Sequence, residues 1–177
     1  MKKINIKNNK QAFTLIEIVL ILIITSIGLT AILSLASKSI NFNNVKKNMF
    51  TAMFLSEEGL GLMTNIRDTN MIISNYYNDW DNLGQTATSG SNYYKVDYYS
   101  LIATSTTGIS ETNLWQDEAG FYSHSSTSSS TASIYNRMIT VNSFTASSSI
   151  ESLVEWTGQG NDYDFKLSTV LYDLSFN

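Results

Sequence analysis

Few side chains in this chain of 177 residues stand where chemistry needs them. Glu17 is the most informative. It is a single carboxylate at the start of an apolar stretch, and residues 18–37 carry no charge at all. An ionisable group inside a bilayer costs on the order of 2.5–3.5 kcal/mol at the centre and less near the surface, so it marks a functional site by default. His124 is the only histidine, beside residues 125–131, which are all Ser or Thr. A Ser-His-Asp triad is formally available, but nothing nearby supplies its setting, and no catalytic residue or enzyme activity is expected. Asp79-Trp80-Asp81-Asn82 and Asn161-Asp162-Tyr163-Asp164 offer oxygen ligands of the kind calcium takes. Their spacing is not that of a calcium loop, and Asn and Asp are ordinary turn formers, so neither metal nor cofactor is expected. Cysteine is absent, which removes disulfides and thiolate metal sites. The Ser/Thr run reads as a solvated loop, a place for O-linked sugar, and no Asn-x-Ser/Thr sequon is present.

The element that positions Glu17 is a helix. At about 1.5 Å per residue, the 20 uncharged residues span about 30 Å, the thickness of a hydrocarbon core. Small and hydroxyl residues at Thr25, Ser26, Thr30, Ala31 and Ser34 suit close helix approach in a membrane. Lys2, Lys3, Lys7 and Lys10 precede the segment with no acid among them. Positive charge stays in the cytoplasm, so the C-terminal body belongs outside. A plain signal anchor explains the length and the lysines but gives Glu17 no role. A cleaved secretory signal would use Ser34-Leu35-Ala36, but its apolar region runs longer than the usual 7–15 residues.

Ala12-Phe13-Thr14-Leu15-Ile16-Glu17 after a short basic leader resembles the class III signal of type IV pilins and type II secretion pseudopilins. Ala12 stands where that family usually has glycine. The resemblance implies cleavage between Ala12 and Phe13 by a prepilin peptidase and methylation of the new amino terminus on Phe13. It also implies that Glu17 is the docking acid for the amino terminus of a neighbouring subunit. The implied fold is α+β, a pilin-like long N-terminal helix whose outer half packs on a small antiparallel sheet. The implied organisation is a leader at 1–12, a transmembrane and assembly helix at 13–37, the outer helix at 38–68 and a β-sheet head with an αβ-loop at 69–177. The implied partners are the peptidase, other pilin or pseudopilin subunits, an inner-membrane assembly platform and the membrane. The place is the cytoplasmic membrane before assembly, with the head outside, and a surface or periplasmic filament afterwards. A minor structural subunit is the expected role. The alternative is a single-pass surface binding or adhesion module that does not polymerise. Around the outer helix, Glu57, Glu58 and Gly59, followed by Arg67 and Asp68, look like a stretch of many minor pilin-like proteins and form a candidate interface. A solvated acidic face is the plainer account of the same residues.

Without the four leader lysines the chain keeps 7 basic and 15 acidic residues, a net charge of −8. That balance argues against direct nucleic-acid binding. Helical periodicity continues through Phe42, Val45, Met49, Ala52 or Met53, Ser56, Leu60 and Met63. With no glycine or proline between Gly28 and Gly59, the helix is expected to run from about residue 14 to about 67. Its Val45, Met49, Met53, Leu60 and Met63 stripe is expected to meet the sheet. Strands are expected at 93–102, 134–141, 150–156 and 163–174, with a strand or covering loop at 113–122 and a six-residue connection at 157–162, giving three to five strands in all. In the last strand Phe165, Leu167 and Leu171 share one face.

Overall fold

The computed structural model describes residues 14–73, 93–100, 102–143 and 147–172. The loop expected at 71–92, with the oxygen-rich Asp79-Trp80-Asp81-Asn82, falls mostly outside them, as do Ala12 and Phe13. The chain divides into two compact units, Met1–Asn44 and Val45–Asn177.

In the first unit every described residue belongs to helix α1 (Leu15–Ile73) except Thr14, which precedes it. Its side chains are exposed on all sides, and this is the one helix among the described residues long and apolar enough to cross a membrane. Three hydroxyls in the apolar segment turn back onto the helix. Thr25 donates to Ile21 O at 2.8 Å, Ser26 to Leu22 O at 2.6 Å and Thr30 to Ser26 O at 3.0 Å. Each polar group is thereby satisfied within its own helix, as an environment without water requires.

The second unit holds the rest of α1 and an antiparallel sheet. The strands are β1 (Tyr93–Lys95), β2 (Thr104–Ser105), β3 (Asn113–Gln116), β4 (Tyr122–Ser123), β5 (Thr131–Ser143), β6 (Ser147–Gly158) and β7 (Asn161–Tyr172). They form one seven-stranded sheet, more than expected. The extra strands β2 and β4 are two residues each, too short to leave a periodic pattern. β5 is the central strand. β6 covers one of its edges and pairs onward with β7. The other edge is shared: β3 pairs with the half holding Thr131, Ala132 and Asn136, and β1 with Ile139 and Thr140. β1 in turn carries β2, and β3 carries β4.

Alternation sets the buried face. Tyr135, Arg137, Ile139 and Val141 of β5, and Ile150, Ser152, Val154 and Trp156 of β6, are buried. In β7 Phe165, Leu167, Thr169 and Leu171 turn the same way, as their spacing predicts. The helix answers with Ala52, Leu55, Ser56, Gly59, Leu60, Met63 and Ile66. Leu60 and Met63 of the expected stripe face the sheet, as do Ala52 and Ser56 of the helical periodicity, but its N-terminal members do not. Met49 is half exposed, and Val45 and Met53 are only partly covered. The small residues Ala52, Ser56 and Gly59 take the closest approach instead.

Two apolar clusters result. One joins Leu60, Met63 and Ile66 to Tyr94, Val96, Ile139, Val141, Ile150 and Leu171. The other joins Ala52 and Leu55 to Leu114, Tyr135, Val154 and Trp156. Each Leu, Ile or Met so buried contributes about 1.5–3 kcal/mol. α1 continues to Ile73, beyond the expected end near residue 67, because Met71 packs against the first cluster and no glycine or proline intervenes.

The β6–β7 connection is shorter than expected. Thr157 pairs with Asp162 and Gly158 with Asn161, leaving only Gln159 and Gly160 in the turn. Their φ values of 53° and 79° are both positive, the backbone of a type I′ turn. That turn matches the right-handed twist of paired strands, so the ladder runs to the tip.

Candidate functional site

Thr14 starts α1. Its carbonyl accepts from Glu17 N at 3.1 Å and Ile18 N at 3.2 Å, and its hydroxyl lies 3.4 Å from Glu17 N. Thr14 thus acts as the N-cap, and Glu17 sits in the first turn with its side chain exposed. A carboxylate there is favoured by the positive end of the helix dipole. Among the described residues no hydrogen bond or ion pair reaches its carboxylate. The arrangement offers a lone acceptor at the head of an apolar helix, suited to a cation from outside the chain.

The candidate interface residues divide. Glu57 is exposed. Arg67 and Asp68 pair with each other, Nε to Oδ1 at 2.7 Å, with Asp68 half exposed. Gly59 is buried against its own sheet: a Cβ there would come within 2.9 Å of Ile139 Cδ1 and Ser152 Oγ and 3.3 Å of Arg137 Cδ. Glu58 reaches across to Arg137, 2.8 Å away.

Arg137 is the buried charge that sequence reasoning missed. It lies between the two apolar clusters with no exposure. Its NH1 donates to Leu55 O at 3.2 Å and to Glu58 Oε2 at 2.8 Å, and its NH2 to Val96 O at 2.7 Å. The guanidinium therefore ties α1 to the segment leaving β1. The available signal was its phase: Arg137 shares the alternation of Tyr135, Ile139 and Val141.

His124 lies beside the exposed Ser/Thr run, but its own side chain is enclosed, 5% exposed. Nδ1 lies 2.8 Å from Asp97 Oδ1, Nε2 lies 3.0 Å from Arg137 O, and its backbone N–H donates to Asp97 Oδ1 at 2.8 Å. Burial works against the Asp97 charge. The hydrogen bonds and charge of His124, with the charge of Arg137, more than offset it and hold the Asp97 pKa below its ordinary value. The second Asp97 oxygen accepts from the Tyr99 hydroxyl at 3.2 Å, which also lies 2.7 Å from Ser125 Oγ. Tyr99 belongs to an exposed aromatic group. Tyr98 contacts Tyr99 and Phe121 with ring centroids 5.2 and 5.4 Å apart.

The residues Asn161-Asp162-Tyr163-Asp164 lie in β7, where alternation turns Asp162 and Asp164 away from Asn161 and Tyr163. Asp162 accepts from the Thr157 hydroxyl at 2.8 Å. With Asn136, Glu155 and Asp164 that pair lines a cleft of about 260 Å³ on the outer face of the sheet. Among the described residues no group of three or more His, Cys, Asp or Glu could hold a metal ion.

Residues 7–33 match the family model described as the prokaryotic N-terminal methylation motif. This is the class III signal of type IV pilins and pseudopilins, and it marks a pilin-like substrate of prepilin peptidase. Comparison with curated proteins and with solved structures gave no match.

Proposed function

We propose that this chain is a structural subunit, of the minor kind, in a type IV pilus-like filament or pseudopilus. Residues 1–12 are a leader that prepilin peptidase removes between Ala12 and Phe13, and Phe13 becomes the methylated amino terminus. Residues 13–37 hold the protein in the cytoplasmic membrane with its head outside and later pack in the filament beside other subunits on an assembly platform. Glu17 docks the methylated ammonium of a neighbour's Phe13. The observation that carries the reading is the methylation motif at residues 7–33, enclosing a single carboxylate at the head of an uncharged segment. A charge-assisted pair between subunits is the economical use of such a group where water is scarce.

The test is mass spectrometry of the mature amino terminus. The expected result is a chain beginning at methylated Phe13. An intact Met1 would identify a plain anchor, and a start after Ala36 an ordinary secreted protein. A second reading, a membrane-anchored binding module that never polymerises, is favoured by the exposed cluster of Tyr98, Tyr99 and Phe121. A processed wild-type chain that is absent from purified filaments, and whose function Glu17→Gln leaves unchanged, would support that module.

A further inference from the structure

On its shared edge β5 has a break between its two neighbours, besides the bulge opposite β3. β3 reaches Asn136, and β1 begins at Ile139. Arg137 faces this gap with its backbone: its N–H donates to Thr112 O at 3.0 Å, and its carbonyl meets His124 Nε2 at 3.0 Å. The imidazole therefore fills a break in the ladder. Its other nitrogen holds Asp97, two residues past the end of β1. Both atoms facing the ring, a carbonyl oxygen and a carboxylate oxygen, accept and cannot donate. A neutral imidazole has one N–H and serves one of them, setting a lone pair against the other. Only the imidazolium donates to both. With the side chain 5% exposed, water has little room to replace the lost contact.

We propose that His124 is a pH-sensitive clamp: its protonated ring locks the segment after β1 onto β5, and loss of the proton releases the turn that presents Tyr98, Tyr99 and Phe121. The charged groups around the ring support this arrangement. From the β1 exit comes Asp97, with the Tyr99 phenol on its second oxygen. From β5 comes the Arg137 guanidinium, a like charge that is drawn away to Glu58 of α1 and to Val96 O. The lowered pKa of Asp97 keeps the carboxylate ionised on the acid side of the clamp's range. The clamp therefore has two edges. It opens on the acid side when Asp97 takes up a proton, and on the other side when the ring is neutral.

Because His124 is the only histidine, ¹⁵N-histidine labelling of the full chain in detergent micelles gives one reporter. NMR follows the protons on the two ring nitrogens while hydrogen exchange follows the backbone. With one buried hydrogen bond lost, amides at 97–100 and 121–124 should exchange about 10-fold faster, relative to those of β6 and β7, once the ring is neutral. Asp97→Asn removes the charged partner of the ring and should give the fast exchange under conditions where the wild type is still slow. A ring that passes from two protons to one with no change at those amides would overturn the clamp. So would a ring that stays singly protonated throughout the folded range.

Discussion

Arg137 keeps a full charge out of water because three acceptors converge on it, one of them ionised. None of these partners is near it in sequence: Leu55 and Glu58 come from α1 and Val96 from the β1 exit. A single sequence read by periodicity sees Arg137 only as a polar residue in a strand and cannot supply acceptors about 40 and 80 positions away. The same limit hid the real place of His124, whose neighbours in sequence are a Ser/Thr run. Glu58→Gln should test the pairing. Removing one partner of a buried pair costs about 3–5 kcal/mol, and since Glu58 is one-third exposed a loss of about 1–3 kcal/mol is expected in chemical denaturation. Unchanged stability would mean that the backbone carbonyls alone hold the guanidinium. Asp97 gives a pH signature of definite sign. Its folded pKa lies below the unfolded value, so its contribution is present above the ordinary carboxylate pKa and lost as pH falls through the folded one. The melting-temperature gap between the wild type and Asp97→Asn should therefore narrow as pH drops through the acid range. A gap constant down to the acid transition would contradict the assignment.

At the scale of elements, length decided what could be read from sequence. α1, β5, β6 and β7 are long enough for their periods to show, and the inward face of β7 follows directly from its alternation. β2 and β4 are two residues each and have no pattern. In α1, Leu60 and Met63 face the sheet as expected, but N-terminal to them methionines and small residues compete at adjacent positions. Volume favoured Met49 and Met53, but the sheet lies close enough that Ala52, Ser56 and Gly59 had to face it. Two glycines on the same helix separate these effects. Gly61→Ala meets nothing within 4 Å and should stabilise by up to about 1 kcal/mol through helix propensity. Gly59→Ala gains the same propensity but presses on Ile139 and Ser152, and overpacking of this kind costs about 1–3 kcal/mol. Thermal melting should rise for the first and fall for the second. A rise for both would show that helix and sheet are less closely fitted than the contacts at Gly59 imply. In the β6–β7 turn Gln159 sits at φ 53°, where a side chain costs about 1–2 kcal/mol, so Gln159→Gly should raise stability by about 1 kcal/mol. No gain would mean that other contacts of the glutamine offset its backbone strain.

For the whole molecule, the two units differ in what holds them and in what their sequences disclose. Among the described residues of the first, the apolar side chains are exposed and Thr25, Ser26 and Thr30 turn their hydroxyls inward on the helix. Its meaning was legible at once, because a basic leader, the Phe-Thr-Leu-Ile-Glu run and an uncharged segment lie together in sequence. The second unit folds around Arg137 and two apolar clusters, and its sequence carried no comparable signature of a ligand. The proposal of a subunit that joins a filament through Glu17 rests on the first unit. Its decisive measurement is the ratio of this chain to its co-assembled partners in sheared, purified filaments, for the wild type and for Glu17→Gln, with amino-terminal processing and head melting measured in both. Processing and melting should be normal in the variant, with its ratio in filaments falling to a small fraction of the wild-type value. A Glu17→Gln variant present at the wild-type ratio, or a wild-type chain absent from filaments altogether, would contradict docking through this carboxylate.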